Sequence, residues 1–212
     1  MPVRTERVLI VGRSASVLLD AVAMLRDRGY GANASNQFDT LLNDYDLGEV
    51  DLVVFGGMVP PATKERLRTD IHELNPRVSF LQGLGGIAPL VVAQVEEYAG
   101  GAPSGVEYDP SARLFRIALG DAAPVKVEGL WATFVPPEPV AQSVLILDGE
   151  LAAGVHQIAI PDDVPRQGSY ATVRIGERVS ALQIGETPRS VKRLAAQPLP
   201  APRPVTTHYP WQ

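Results

Sequence analysis

The sequence predicts an α/β fold in its first half and an all-β fold in its second half. Residues 7 to 99 alternate strand-like and helix-like segments, which is typical of parallel βα units. From residue 111 to residue 186 the hydrophobic pattern has a period of two, turn signals recur, and no helix-like segment interrupts the strands. We therefore expect a doubly wound parallel sheet followed by a small antiparallel β-sandwich or barrel.

Each element of the first half has its own local signal. Short apolar runs predict buried strands at residues 7–12, 51–55 and 78–82. Apolar residues at helical spacing predict helices between them, with Ser14 or Ser16 able to cap the first. The predicted helices are one that ends at Gly29, a shorter one over Phe38–Tyr45, one from Pro60-Pro61 to Asn75-Pro76, and one from Pro89 to Ala99.

The second half contains six strand-like segments. They are LFRIAL, VKVEGLWATFV, SVLILDGEL, HQIAI, YATVRI and RVSALQI. Asp148-Gly149 is a strong hairpin signal, and Gly176-Glu177 is a weaker one. These patterns predict an α/β domain over residues 1–100, a β domain over 111–187 and a tail over 188–212. In the alternative division, LFRIAL is the last strand of the first sheet and the boundary lies nearer residue 120.

The tail over residues 188–212 has a distinct composition, with six prolines, four basic residues and no acidic residue. Its PLPAPRP run favours polyproline II geometry, and Tyr209 with Trp211 can anchor the end in an apolar pocket. Two interpretations stay open. The tail is either a poorly ordered terminus or an arm that docks on its own domain or on a second subunit.

Composition and charge exclude several classes of function. The chain has no cysteine, which excludes disulfides, thiolate metal sites and a cysteine nucleophile. A net charge of −5 disfavours nucleic acid as a partner, because binding phosphate backbones needs clustered basic charge. The N-terminus has no apolar stretch long enough for a signal peptide, and no segment of the chain has an apolar stretch long enough for a membrane span. We therefore expect no membrane association and a soluble cytoplasmic protein.

The segment VDLVVFGGMVPP, residues 50–61, resembles the central strand and loop of phosphoacceptor receiver domains. In receivers this strand ends on the aspartate that is phosphorylated, and here that place falls on Gly56. The acidic pair that holds magnesium in receivers matches Gly12, Arg13 or Ser14, and the Ser or Thr after the fourth strand matches Gln82-Gly83. No matching lysine can be placed. The resemblance implies a flavodoxin-like or pseudo-receiver fold without phosphorelay chemistry, which pairs with other proteins or with itself.

Three glycine-rich loops follow the predicted parallel strands, at residues 12–16, 56–61 and 82–86. Such loops converge at the carboxyl edge of a doubly wound sheet, where helix N-termini attract anions. The candidate ligand-binding residues are Gly12, Arg13, Ser14, Ser16, Gly56, Gly57, Met58, Gln82, Gly83 and Gly85. Alternatively, the glycines only make tight strand-to-helix turns. No P-loop and no GxGxxG motif is present.

Catalytic motifs are sparse. The three histidines, His72, His156 and His208, lie in no GxSxG, HExxH or HxH context, so we predict no catalytic residue, metal ligand or cofactor. We expect the adjacent acidic pairs Glu96-Glu97 and Asp162-Asp163 to be solvated surface residues.

Three hypotheses remain at this point. The first is a non-enzymatic regulatory or assembly module that contacts a protein partner or forms a homodimer. The second is binding of a nucleotide or another anionic metabolite in the glycine-rich crevice, as a sensor or a small enzyme. The third is an accessory enzyme that uses Arg13, Ser14 and His156 between its domains. The first hypothesis requires the fewest residues that the sequence does not show.

Overall fold

The computed structural model describes residues 6–135, 138–187 and 201–209 of the chain. Two compact units divide the chain. The first unit contains Met1–Val92, Pro136–Glu138 and Leu199–Gln212, and the second contains Ala93–Val135 and Pro139–Pro198.

A four-stranded parallel sheet forms the centre of the first unit. Its strands are β1 (Arg7–Val11), β2 (Gly31–Ser35), β3 (Leu52–Phe55) and β4 (Ser79–Gln82), in the order β2-β1-β3-β4. In this register Leu9 of β1 lies opposite Asn33 of β2 and Val53 of β3. The predicted parallel sheet is therefore confirmed.

The helices lie close to where apolar spacing and proline predict them. They are α1 (Ala15–Asp27), α2 (Leu41–Asp44), a 3₁₀ helix (Leu47–Glu49), α3 (Pro61–Leu74) and α4 (Ala88–Gly100). Pro61 occupies the first turn of α3, where its missing N–H costs no helical hydrogen bond. Asn75 follows the last residue of α3, and its Nδ2 donates hydrogen bonds to the carbonyl oxygens of Leu47 and Val50.

The buried face of α3 packs on one face of the sheet. Leu9 and Val11 of β1 and Val53 and Phe55 of β3 alternate onto that face, where they form one core with Leu67 and Ile71 of α3. All six side chains are fully buried. The apolar alternation of the strands and the helical spacing of α3 thus fix the same packing surface.

Strand β2 has the sequence GANAS, which has no apolar pattern and does not predict a strand. It is nevertheless buried along its whole length, and the described part of the tail lies against it, with a bridge between Ser35 and Thr206. For residues 201–209 the tail is therefore an arm on its own unit. The rest of the predicted tail, including Trp211, lies outside the described residues.

The second unit contains two antiparallel sheets, which confirms the predicted β part. One sheet has the order β11-β10-β7-β8 and the other β5-β6-β9. The strands are β5 (Val106–Asp109), β6 (Leu114–Leu119), β7 (Ala123–Val135), β8 (Glu138–Leu151), β9 (Gly154–Ala159), β10 (Ser169–Ile175) and β11 (Arg178–Gln183). Strand β6, the LFRIAL segment, pairs with β5 and β9, so its alternative placement in the first sheet is wrong.

Residues from both sheets share one hydrophobic core. Phe115 and Ile117 of β6 are buried in the same cluster as Val127 of β7 and Val173 of β10. The cluster also takes in Val164, from the segment before β10. The period-two pattern of the sequence therefore corresponds to one buried face on each sheet.

One of the two predicted hairpins is wrong. Gly176, at φ +58°, and Glu177 connect β10 to β11, as predicted. By contrast, Asp148 and Gly149 lie inside β8, and the chain turns after Leu151. A type I′ turn needs positive φ at both central residues, and neither Asp148 nor Gly149 adopts it.

Glu96 and Glu97, at the end of α4, belong to the second unit, and they are not a solvated pair because both carboxylates contact strands of that same unit. Arg174 Nη2 lies 2.6 Å from Glu96 Oε2, and the N–H of Ala181 donates to Glu97 Oε2 at 3.0 Å. Asp162 and Asp163 are exposed as expected. No helix among the described residues is long and apolar enough to cross a membrane.

Candidate functional site

The carboxyl ends of β1, β3 and β4 lie side by side, and a glycine stands directly after each. Gly56 donates its N–H to the carbonyl oxygen of Val11 at 2.8 Å, and Gly83 donates to that of Phe55 at 2.8 Å. A Cβ added to Gly56 would lie 3.3 Å from the Cα of Gly12, and one on Gly83 would lie 3.3 Å from the Phe55 carbonyl oxygen. These glycines allow the strand ends to pack closely.

The remaining residues of the second and third loops differ in their surroundings. Gly57 has open space around the position of a Cβ, and the Met58 side chain beside it is 47% exposed. Gly85 is half-buried. The side chain of Gln82 folds back on the loops, because its Nε2 donates to the carbonyl oxygens of Phe55 and Gly83.

The N-terminus of α1 carries an unexpected partner. Glu138, which is 122 residues from Ser16 in sequence, accepts hydrogen bonds from the N–H of Ala15 at 2.8 Å and of Ser16 at 3.0 Å. Ser14 occupies the N-cap position, but its side chain makes no capping hydrogen bond. Ser14 therefore stands at the predicted cap position, but the carboxylate of Glu138, and not a serine side chain, accepts the free N–H groups of the helix.

The electrostatics at this helix end follow from these contacts. Burial raises the pKa of Glu138, but hydrogen bonds from Ser16, Ala15 and Ser14 outweigh that effect and hold the pKa below its usual value. A helix N-terminus favours a negative charge. The anion position that the first loop predicts is thus occupied by the chain's own carboxylate. Arg13, two residues before the start of α1, is half-buried, and its carbonyl oxygen lies 3.5 Å from Asn36 Nδ2.

The three histidines lie in three different environments. His72 is exposed on α3, His208 stacks on Tyr45 with 5.8 Å between ring centroids, and His156 Nε2 is 2.8 Å from the Ala152 carbonyl oxygen. Arg13 and Ser14 belong to the first unit, and His156 belongs to the second. Among the described residues no group of three or more acidic or histidine side chains is arranged to hold a metal ion.

A pair of cations on α3 was not predicted from the sequence. Lys64 donates from Nζ to Gln82 Oε1 at 2.8 Å, and Arg68 lies one helical turn further on. The Arg68 Cζ lies 5.6 Å from the ring centroid of Phe55 and 5.9 Å from that of Phe80. The spacing of Lys64 and Arg68, four residues apart on a predicted helix, could have indicated this pair. No local sequence pattern indicates the contact between Glu138 and α1.

The comparisons with known proteins assign no family to this chain. No family model and no curated protein matches it. A solved protein of Agrobacterium tumefaciens from a structural genomics programme is similar at 13% identity over 88% of this chain and 99% of that chain, with a TM-score of 0.30. A β-glucosidase from Listeria innocua, solved with gluconolactone, is similar at 10% identity over 88% of this chain and 47% of its own, with a TM-score of 0.30. Scores of this size carry no argument about the fold or function of this chain.

Proposed function

We propose that this chain is a non-enzymatic assembly module that forms a homodimer through strand β8. The observation that carries this proposal is an uncharged stretch in a long strand at the edge of a sheet. Strand β8 has 14 residues and stands at the end of the order β11-β10-β7-β8. Between Val140 and Leu147 it contains no charged residue.

Proteins usually protect an edge strand from pairing with other chains. The usual devices are charged side chains, proline, bulges or a very short strand. Residues 140–147 contain neither charge nor proline, and Val140 and Leu145 are 45% and 56% exposed. An edge with these properties is a template for pairing with another strand, and burial of its apolar side chains would add to the stability of the pair.

A second copy of the same chain is the occupant that fits best. An antiparallel pair of β8 strands has twofold symmetry, so the same patch serves both subunits. Like charges directly opposite each other destabilise a strand pair, and a pair limited to residues 140–147 brings none together. The chain as a whole carries −5, which makes an uncharged strip a favourable place for self-contact.

The first unit supports a non-enzymatic role. The strand order 2-1-3-4 is that of the first four strands of a flavodoxin-like or receiver-like sheet, so we assign this unit to that class. The place of a receiver's phosphoacceptor is Gly56, where a Cβ would lie 3.3 Å from the Gly12 Cα. The chain therefore has no carboxylate at this position, and the backbone of Gly12 leaves little space for a side chain there. We assign the second unit to the β-sandwiches, since its two sheets share one core.

Anion binding in the glycine-rich crevice is the weaker candidate. Its most direct donors, the N–H groups of Ala15 and Ser16, already bind Glu138. A ligand at this helix end would have to displace that carboxylate. The contacts of the first loop therefore favour a structural role for this loop over a ligand-binding role.

Light scattering after size-exclusion chromatography tests the proposal. The wild-type chain should elute at twice its mass of 22.7 kDa. Leu145→Lys places a charge in the edge and should give the monomer, whereas Leu74→Lys, the same change at a leucine on α3 that is 60% exposed, should leave the dimer intact. A wild-type monomer at high concentration, or a dimer in both variants, would overturn the proposal.

A further inference from the structure

Two neighbouring cations on α3 have no anionic partner among the residues that the structure describes. Lys64 and Arg68 are separated by one helical turn, a spacing that places side chains beside each other. Within the described part of the chain neither forms an ion pair. Like charges at this spacing destabilise a helix, so the arrangement costs stability unless a negative charge joins it.

The surroundings hold both cations in place. Gln82 fixes Lys64, because its Oε1 accepts the Lys64 Nζ hydrogen bond at 2.8 Å while its Nε2 is bound to backbone carbonyl oxygens. The rings of Phe55 and Phe80, stacked with 6.0 Å between centroids, support the guanidinium of Arg68. Neither cation therefore needs to be ordered from a freely moving side chain when a ligand binds.

The guanidinium of Arg68 has free hydrogen-bond donors. Within the described part of the chain, its buried Nε has no hydrogen-bond partner and its terminal nitrogens make no hydrogen bond. Buried N–H donors are rarely left unsatisfied, and an exception requires an explanation. Burial and the charge of Arg68 both lower the pKa of Lys64, because each disfavours its charged form.

We infer that Lys64 and Arg68 form a binding site for the phosphate group of a small phosphomonoester. Arginine presents a planar fork of donors that suits phosphate oxygens, and lysine adds a point charge. A phosphomonoester carries close to two negative charges at neutral pH, which matches two cations, whereas a carboxylate carries one. The site lies within the first unit and is independent of the proposed pairing of β8 strands.

Thermal unfolding in inorganic phosphate, with chloride adjusted to keep ionic strength constant, is the first test. Phosphate should raise the Tm of the wild-type chain. It should raise the Tm equally in Arg66→Gln, a matched control on the same helix whose arginine contacts Asp39 and Asp70. In Lys64→Gln and Arg68→Gln the rise should be lost, with phosphate affinity at least about tenfold lower. No rise in the wild type, or an equal rise in all four proteins, would overturn the inference.

The same variants without phosphate separate binding from folding. Removing one of two like charges relieves their repulsion, which offsets the loss of the Lys64 contact with Gln82 or of the Arg68 contact with Phe55 and Phe80, so the Tm should change little. A large fall in Tm for both Lys64→Gln and Arg68→Gln in chloride would instead assign the pair to the fold and contradict the inferred site. Arg68→Lys keeps the charge but loses the fork, so it should retain only part of the phosphate response.

Calorimetric titration identifies the class of ligand. Adenosine monophosphate and glucose 6-phosphate should bind, and adenosine and glucose should not. Binding should weaken as the pH falls below about 6, because the phosphate then loses its second charge. Equal binding of the phosphorylated and unphosphorylated compounds would show that the phosphate group is not what the protein recognises.

Discussion

The N–H of Asn36 donates a hydrogen bond to the carbonyl oxygen of Val205 at 3.0 Å, and the Oδ1 of Asn36 accepts one from the N–H of Val205 at 2.8 Å. This reciprocal pair joins the end of β2 to a segment 169 residues away in sequence. Further contacts continue along the strand, since Thr207 donates its N–H to Ala34 and accepts the Ala34 N–H on its Oγ1. The tail thereby satisfies an edge that the short polar strand β2 would otherwise expose.

Asn36→Ala should lower the stability of the first unit by about 1–3 kcal/mol, because buried backbone groups of the tail lose their partner. Chemical denaturation measures this change. Asn43→Ala, at an exposed position of α2, is the control and should be nearly neutral.

Deletion of residues 201–212 should accelerate amide exchange at Ala34, because the Ala34 N–H donates to the Oγ1 of Thr207. Unchanged exchange at Ala34 after the deletion would mean that the tail does not cover β2 in solution.

Tyr45 makes the tail contact sensitive to alkaline pH. Its hydroxyl lies 3.0 Å from the carbonyl oxygens of both Ala34 and Thr207, and burial, with the nearby Asp44, raises its pKa to about 12. The folded state holds the proton more tightly than the unfolded chain does. The contribution of the Tyr45 hydroxyl to stability is therefore complete below pH 10.0 and is lost as the pH rises toward 12.

Denaturation curves between pH 9 and pH 12, on the order of one pH unit apart, test this dependence. The wild-type chain should lose stability above pH 10.0, the ordinary tyrosine value. Tyr45→Phe should be less stable at neutral pH and should lose less over the alkaline range. Tyr98→Phe, at an exposed tyrosine, is the control and should keep the wild-type profile. A wild-type profile in Tyr45→Phe would exclude Tyr45 as the titrating group.

Glu138→Ala should destabilise the start of α1 by about 1 kcal/mol, because the N–H groups of Ala15 and Ser16 lose their acceptor. Amide exchange at these two residues should become faster. Since the pKa of Glu138 is lowered, its contribution should be present above the ordinary carboxyl range and lost as the pH falls through the lowered value. Glu150→Ala, also on β8 and exposed, should change neither quantity. Unaltered exchange at Ala15 in Glu138→Ala would contradict the capping role.

Gly129→Ala should cost about 1–3 kcal/mol, since it inserts a methyl group into a closely packed core. A Cβ at Gly129 would lie 2.8 Å from Val164 Cγ2 and 3.2 Å from Val144 Cγ1. Gly149→Ala is the matched control, because nothing lies within 4 Å of its Cβ position and its φ is not positive. Equal effects of the two substitutions on the denaturation midpoint would show that Gly129 is not sterically restricted.

The elements that sequence patterns predicted correctly are those with strong local signals. Val53 and its neighbours form an apolar run of strand length, and Pro61 begins a helix because its fixed φ suits the first turn. Strand β2 escaped prediction because its burial depends on a tail more than 160 residues away. The Asp148-Gly149 prediction failed because pairing along β8 outweighed a local turn preference.

Sequence patterns predict only part of the candidate site. The adjacency of Gly12, Gly56 and Gly83 follows from parallel strands whose carboxyl ends share one edge. The capping carboxylate of Glu138 could not be inferred, because no periodicity relates it to α1. The sequence shows that Lys64 and Arg68 are neighbours on one helix face. It does not show the contact between Lys64 and Gln82, because that contact depends on how α3 packs beside β4.

A single-cysteine scan of β8 tests the central claim, homodimer formation, most directly. The chain has no cysteine of its own, so an introduced thiol reports only on contact between copies. In a twofold antiparallel pair one residue faces its own copy, at a distance that suits a disulfide. Among cysteine variants of residues 140–147, oxidation should give a covalent dimer with a single maximum near Ser143 or Val144, whereas Ser111→Cys, away from β8, should form no covalent dimer. Equal, low crosslinking at every position of β8 would contradict the account.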